Sequence, residues 1–450
     1  MVEWYSEALP GCDDLPAVID GDGQGAVLTH GTLRCAVAEA AAAWPVPPRG
    51  VTLLAAEWSP AYVVAYLAAR AAGQAVCLVD PHRDWSAIAD RLRPDVVVTD
   101  GLVGLSYSLG EPGPPVHRDL AVLLPTSGST GSPRLVRLSA RGLAVNTADI
   151  VAALGITAGD RAVGHLAPWY SYGLSVLHSH LAAGGSIVVT RRGLLDTGFW
   201  DMVRNTAATT LPGVPFHYQT LRRFNFDRLD VPALRTMTQA GGRLTPRLVS
   251  HFARLMADRG GRFLVMYGQT EAGPRIAVHE SSDVLTTPEA VGRPLAHVAL
   301  TIVRSDGTTA APDEVGEVVV RSPGVMMGYA ETRADLARGD DLGGVLATGD
   351  RGSVSATGLL TLAGRQARFA KLFGLRLDLE AIERAVDAPT VAVEKGDRLI
   401  LVTEGDGEAA RRAVVALTGL TPSVVVARPV AALPRLPNGK LDLRAAEGLA

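Results

Sequence analysis

Apolar residues recur along the chain with two alternating periods. Leu33–Trp44, Ala61–Ala72 and Trp85–Leu92 carry Ala-rich or helical spacing, and short apolar runs lie between them at Val51–Ala56, Gln74–Val79 and Asp95–Thr99. Strands alternating with helices of this length predict βαβ units and a largely parallel sheet. The middle repeats the theme. It predicts helices at Leu143–Leu154, Leu174–Ala183, Phe199–Ala207 and Pro246–Asp258, and strands at Arg161–Leu166, Ser186–Thr190 and Phe263–Tyr267. Pro212–Pro215 reads as the turn ending a strand at Leu211.

From Val291 the pattern changes. Val298–Val303 and Val315–Arg321 are strand-like and are separated by the turn signal Ser305-Asp306-Gly307. Glycines stay frequent to Gly364, which predicts an antiparallel β section. Beyond Arg365 a small α+β unit is expected. Its helices are Leu379–Val386 and Glu408–Thr418, and its strands are Val391–Val393, Leu399–Thr403 and Ser423–Ala427. The expected fold class is α/β: a large N-terminal domain of layered sheets plus a β section (1–364), followed by a small mobile α+β C-terminal domain (365–450).

Composition fits that architecture. The chain has 450 residues, 47% hydrophobic and 20% charged, which is ample for a buried core. The formal net charge of -3 and the scattered Lys and Arg argue against a nucleic-acid partner. No apolar run reaches the ~18 residues of a membrane helix, so no membrane partner is expected. The start, MVEWYSEALPGCDD, lacks a basic segment followed by an apolar core, and no signal peptide is expected. Cys12, Cys35 and Cys77 have no metal-ligand spacing and are expected to be small core residues of a cytoplasmic protein.

The densest candidate chemistry is Pro125-Thr126-Ser127-Gly128-Ser129-Thr130-Gly131-Ser132-Pro133-Arg134, between the apolar runs Leu120–Leu124 and Leu135–Leu138. It reads as strand, phosphate-sized loop, strand. Glycines let backbone N–H groups approach an anion, hydroxyls add donors, and Arg134 adds a fork for phosphate oxygens. It lacks the Walker spacing. Tyr267-Gly268-Gln269-Thr270-Glu271 follows a strand, at the end where ligands of open α/β sheets bind. Its aromatic can stack on a flat ring and its carboxylate can hold a metal, although alone it reads equally as a capped turn. Thr348-Gly349-Asp350-Arg351 can offer Asp350 to a ribose diol or be a plain turn. Lys440 stands in a Pro-Asn-Gly turn near the C-terminus. No metal cage of His or Cys and no G-x-S-x-G elbow is visible.

In this order and spacing, PTSGSTGSPR, YGQTE, GEVVVRSPGVMMGY, TGD, GRQARFAKLFGLRLDLEAIE and LPRLPNGK resemble the adenylate-forming superfamily over nearly the whole chain. That superfamily holds acyl-CoA synthetases, adenylation domains and luciferases. The resemblance implies that Thr126, Ser127, Gly128, Ser129, Thr130 and Gly131 wrap the phosphates of ATP. It implies that Gly241 and Gly242 line adenine, that Tyr267 stacks on it, and that Thr270 approaches the α-phosphate. Glu271 would ligate Mg²⁺, Asp350 and Arg365 would reach the ribose, and Lys440 would bridge carboxylate and α-phosphate. The small domain would rotate between half-reactions.

Three positions depart from the superfamily pattern: Arg134 replaces the usual lysine, Ala367 the usual hinge acid, and Ala140 a common His. Amino-acid-activating members carry an aspartate where Ser171 stands, so an α-amino acid is disfavoured. Trp169, Tyr170, Ser171 and Tyr172, with Gly268, instead suit an aryl or short acyl carboxylic acid, unless the aromatics are core packing. The expected acceptor is a thiol, on CoA or on a carrier protein. The alternatives are an amide synthetase using a free amine and a non-catalytic nucleotide-binding homologue.

Overall fold

In the computed structural model the described residues are 13–23, 26–101, 104–125, 134–365, 369–372, 375–436 and 441–450. They divide into two compact units, Met1–Leu300 with Val320–Leu346, and Thr301–Val319 with Ala347–Ala450.

The first unit holds two sheets. One runs Tyr329–Ala330, Leu135–Ser139, Leu120–Pro125, Ala75–Leu78, Val51–Ala55, Val96–Asp100, Leu105–Leu109. Its centre is parallel, as the alternating pattern predicts, and its ends are antiparallel. Leu120–Pro125 and Leu135–Ser139 form an antiparallel pair, so the two expected strands are present on either side of residues 126–133, which lie outside the described residues.

The second sheet carries the parallel run Pro16–Asp20, Ser186–Val189, Arg161–Gly164, Thr210–Gly213, Thr236–Gln239, Arg262–Tyr267. Ala277–His279 and Ala290–Pro294 extend it antiparallel. Two helices lie between the sheets. Ala140–Leu154 packs on Leu120–Pro125 and Leu135–Ser139, Ser171–Ala182 packs on Arg161–Gly164 and Ser186–Val189, and the helices pack on each other. Ser139 caps the first by accepting from Gly142 N at 3.0 Å, and Gly155 ends it at φ 57°.

Ser171–Leu181 is buried all round although it carries serines and histidines. Internal partners make this tolerable. His178 Nε2 meets the Tyr66 hydroxyl at 2.8 Å, and His180 Nδ1 meets the Val176 carbonyl at 3.0 Å. On the other face of the second sheet, Pro246–Asp258 buries Val249, Phe252, Ala253 and Met256, the i, i+3, i+4, i+7 stripe of an amphipathic helix. Each larger side chain there contributes about 1.5–3 kcal/mol by leaving water.

The second unit is β-rich and then α+β. The Val345–Val354 strand pairs antiparallel with Leu360–Arg365, and Phe369–Leu372 pairs with Leu375–Asp378. Thr390–Lys395, Arg398–Thr403 and Val425–Pro429 form a three-stranded sheet. The helices Leu379–Arg384 and Gly407–Thr418 help close its core through Ile382, Ala410 and Val414.

Three local expectations change. Pro215 does not end a turn; it starts the helix Pro215–Arg223, because proline's fixed φ and missing N–H suit the first helical turn. Thr236–Gln239 is a fully buried strand that no apolar run signals. Cys35 is exposed rather than core, on the outer face of His30–Ala42, whereas Cys77 is buried.

Candidate active site

Four neighbouring parallel strands of the second sheet end at Gly164, Gly213, Gln239 and Tyr267. The residues that follow them converge, as carboxyl ends of open α/β sheets do. After Tyr267 the chain makes a tight excursion and returns. Ile276 N donates to the Tyr267 carbonyl at 2.7 Å, and Tyr267 pairs with Ala277. The return passes so close that a Cβ on Gly268 would stand 2.2 Å from the Pro274 carbonyl oxygen. Only glycine fits there. Asn146, from the helix between the sheets, fixes the return by donating from Nδ2 to the Arg275 carbonyl at 2.8 Å.

This turn presents Thr270 and Glu271. The Thr270 hydroxyl lies 3.1 Å from the Ser171 hydroxyl. Two candidates chosen on separate grounds, one for phosphate and one for the acid, are therefore adjacent. Glu271 is half-buried, and its Oε1 accepts from the Tyr329 hydroxyl at 3.0 Å. Its backbone carbonyl accepts from Met326 N at 2.9 Å, which ties the turn to the segment before Tyr329. The guanidinium of Arg134 sits 4.3 Å over the Tyr329 ring, a cation–π contact. Arg134, Tyr329 and Glu271 thus form one chain of contacts.

Tyr170 and Tyr172 are buried and Trp169 is half-buried. Gly241, at φ 80°, lies against Tyr170: a Cβ there would stand 2.2 Å from the Tyr170 hydroxyl oxygen. Gly242 is exposed, and its carbonyl accepts from Gln239 Nε2 at 2.8 Å. The Tyr172 hydroxyl bonds the Thr238 carbonyl at 2.9 Å and the Thr238 hydroxyl at 2.8 Å, while Arg275 covers its ring at 4.0 Å. Burial raises the pKa of both phenols, so both stay neutral at ordinary pH. His165, just past the strand Arg161–Gly164, has an imidazole 5.1 Å from that of His217. Burial pushes the His165 pKa down to about 4.

In the second unit, Asp350 is buried and stands opposite Arg365 in the antiparallel register. Thr348 holds the turn: its hydroxyl accepts from Asp350 N at 3.1 Å and donates to the Val318 carbonyl at 2.8 Å. Thr126 to Gly131 and Lys440 lie outside the described residues.

Among the described residues no three or more His, Cys, Asp or Glu side chains gather as a metal cage. A lone half-buried carboxylate with one oxygen committed to Tyr329 fits Mg²⁺, which is commonly held by one or two carboxylates together with phosphate oxygens and waters. Sequence reasoning missed Tyr329, Arg275, Asn146 and Thr238. Tyr329 does end the GEVVVRSPGVMMGY segment, and Arg275 follows the Glu271 turn by four residues.

The family described as AMP-binding enzyme matches residues 98–330, more than half of the chain. The chain belongs to this adenylate-forming family. This AMP-binding enzyme is 29% identical over 370 residues to novobiocin biosynthesis protein H of Streptomyces niveus, covering 77% of this chain and 56% of that protein. It is 30% identical over 244 residues to an indoleacetate–CoA ligase of Aromatoleum aromaticum, covering 54% and 46%. It also matches 21% of the length of a hybrid PKS-NRPS synthetase of Cordyceps militaris, so the chain spans about half or less of many of the curated relatives it matches.

Its fold is shared with o-succinylbenzoate CoA synthetase of Bacillus subtilis in complex with AMP (TM-score 0.77, 20% identity, 95% and 94% coverage). It is shared too with an amide bond synthetase of Marinactinospora thermotolerans (TM-score 0.76, 23% identity, 96% of each chain). Among the described residues no helix of the AMP-binding enzyme is long and apolar enough to cross a membrane.

Proposed function

We propose that this protein activates a carboxylic acid with ATP as an acyl-adenylate and then passes the acyl group to a thiol. The observation that supports this best is the adjacency of the Ser171 and Thr270 hydroxyls at 3.1 Å, next to the Glu271 carboxylate. In this reading Ser171 serves the acid and Thr270 the α-phosphate, and their contact brings the two roles together.

In the first step a carboxylate oxygen of the acid forms a bond to the α-phosphorus. The bond from that phosphorus to the bridging oxygen of the β-phosphate breaks, and pyrophosphate leaves with the electron pair. Thr270 orients the α-phosphate by donating a hydrogen bond, and Ser171 orients the acid. Glu271, held by Tyr329, would carry Mg²⁺, which supplies charge neutralisation between the mutually repelling anions. Arg134 adds positive charge over the ring of Tyr329, whose hydroxyl holds that carboxylate, and its fork geometry differs from the lysine expected there. Lys440 would bridge the carboxylate and the α-phosphate. Such preorganised donors are each worth about 10²–10³ in rate. In the second step the thiol sulfur attacks the acyl carbon, its proton is lost, and AMP departs.

Ser171, unlike an aspartate, supplies no negative charge for a substrate ammonium, which favours aryl or short acyl acids. Thr126 to Gly131 would cradle the β- and γ-phosphates, while Gly241, Gly242 and Tyr267 would hold adenine. Asp350 and Arg365 would hold ribose. The test is product analysis by mass spectrometry with an acid panel. CoA, a phosphopantetheinylated carrier protein or an amine is then added singly. A thioester product bears the proposal out. Amide product alone makes the protein an amide synthetase, and ATP binding without acyl-AMP from any acid refutes catalysis.

A further inference from the structure

Arg137 stands in the strand Leu135–Ser139 among the buried apolar residues Leu135, Val136 and Leu138, and it is itself fully buried. Its guanidinium is spent on one loop. Nη1 donates to the Arg338 carbonyl at 2.7 Å and the Gly339 carbonyl at 3.1 Å. Nη2 donates to the Met327 carbonyl at 2.7 Å and pairs with the Asp341 carboxylate. One side chain thus fastens both ends of the excursion from Met327 to Asp341. The backbone repeats the tie. Arg137 N donates to the Gly328 carbonyl at 3.0 Å, Met327 N to the Arg137 carbonyl at 2.8 Å, and Asp341 N to the Met327 carbonyl at 2.9 Å. Gly328, at φ 120°, lies directly on the pair: a Cβ there would stand 2.5 Å from Asp341 Oδ2 and 2.8 Å from Arg137 Nη2.

The clamped residues sit between two that hold Glu271. Met326 N donates to the Glu271 carbonyl at 2.9 Å, and the Tyr329 hydroxyl donates to Glu271 Oε1 at 3.0 Å. Tyr329 also pairs with Val136, the residue before Arg137, in the antiparallel register. Where the Tyr329 hydroxyl reaches is therefore set by Met327 and Gly328, and their place is set by Arg137. A buried ion pair is expensive, and an apolar side chain of similar volume would fill the strand position more cheaply. What the guanidinium adds is a rigid fork that reaches several acceptors in fixed directions.

We propose that Arg137, with Asp341, is a positioning residue for the Glu271 carboxylate: by clamping Met327 and Gly328 it fixes the Tyr329 hydroxyl on Glu271, and so sets the site's affinity for Mg²⁺. This rests on the adenylation reading above, in which Glu271 carries Mg²⁺. A clamp that served stability alone would leave the Mg²⁺ requirement untouched.

The experiment measures ATP binding by calorimetry and acid-dependent pyrophosphate release, each against free Mg²⁺, together with a melting curve. The proteins are wild type, Arg137→Lys, Asp341→Asn, Tyr329→Phe and each of the first two combined with Tyr329→Phe. Arg333→Lys is the matched control. Arg333 is as buried, but its guanidinium meets Asp95 at 2.9 Å and the Arg93 and Pro114 carbonyls rather than the Met327–Tyr329 segment. In Arg137→Lys the free Mg²⁺ needed for half-maximal ATP binding should rise on the order of 10-fold, the lower end for partners of a metal-holding carboxylate. The KM for the acid should change by less than about threefold. Asp341→Asn should shift the Mg²⁺ requirement the same way by less, since an amide oxygen still accepts. In the Tyr329→Phe background Arg137→Lys should add less than about threefold, because its effect passes through that hydroxyl. Arg333→Lys should lower Tm yet keep the Mg²⁺ requirement within about twofold of wild type.

A lowered Tm in Arg137→Lys with a Mg²⁺ requirement within twofold of wild type would overturn the proposal. So would an undiminished shift in the Tyr329→Phe background, an equal shift in Arg333→Lys, or wild-type ATP binding that does not depend on Mg²⁺. If no acid supports pyrophosphate release but the Mg²⁺ dependence of ATP binding shifts as expected, the adenylation reading fails while the role of Arg137 stands. Should Arg137→Lys fail to fold, Asp341→Asn and its combination with Tyr329→Phe decide.

Discussion

Tyr329→Phe isolates one hydrogen bond. It removes the hydroxyl that donates to Glu271 Oε1 at 3.0 Å and leaves the ring beneath Arg134 at 4.3 Å. A hydrogen bond to a charged acceptor contributes about 1.5–3 kcal/mol. Glu271 and Tyr329 are only half-buried, and water can replace part of the lost bond. A net loss of about 1–2 kcal/mol is therefore expected. At tenfold per 1.36 kcal/mol this is about 5- to 30-fold in kcat/KM for MgATP. The loss should shrink as free Mg²⁺ is raised, because what the hydroxyl holds in place is the carboxylate. The assay is pyrophosphate release at varied ATP and Mg²⁺ with an activated acid, alongside a melting curve. Rates within twofold of wild type at every Mg²⁺ concentration, in a variant of unchanged Tm, would refute the role given to Tyr329.

Gly268→Ala forces a Cβ to 2.2 Å from a backbone oxygen, so the turn must move. Urea denaturation should show a loss of about 1–3 kcal/mol, the range for an overpacked interior, and ATP binding should weaken. Asp95→Ala removes the carboxylate that accepts from Arg333 Nη2 at 2.9 Å, Val51 N at 2.6 Å and Gly113 N at 2.7 Å. Leaving a buried guanidinium without its anion should cost about 3–5 kcal/mol, read by the same denaturation, and an unchanged midpoint would contradict it.

His165, His178 and His180 have folded-state pKa values pushed down by burial to about 4, about 3 and about 4. The unfolded chain binds their protons first. Their stabilising contribution is complete above about pH 6.5 and falls as pH drops toward 4, by up to about 1.4 kcal/mol per pH unit for each group. Thermal melts from pH 7.5 to 4.5 should show Tm falling below pH 6.5, and a flat profile there would count against neutral buried imidazoles.

How far the chain could be read in advance depends on whether a feature is local. The Glu271 turn was visible because a five-residue apolar run ends at Tyr267 and a glycine follows. Pro246–Asp258 was visible because its stripe is strict and proline starts it. The strand Thr236–Gln239 was not, since Thr-Met-Thr-Gln carries no apolar run; its polar groups are satisfied by partners distant in sequence, such as Tyr172 and Tyr218 on the Thr238 carbonyl. Tyr329 and Arg275 were hidden for the same reason. One acts on a carboxylate 58 residues earlier, and the other covers the ring of Tyr172, far earlier in the chain. Ser171 could be read from the sequence only as a candidate for the acid site, and its contact with Thr270, 99 residues away, could not be read at all.

The central claim, acid-dependent formation of an acyl-adenylate at the Glu271 turn, is tested most directly by incorporation of labelled pyrophosphate into ATP. The account predicts exchange only when a suitable acid is present, with Glu271→Gln reducing it by at least about tenfold at low Mg²⁺ and Lys440→Ala abolishing it. Exchange that proceeds equally without acid, or at wild-type rates in Glu271→Gln, would contradict the account.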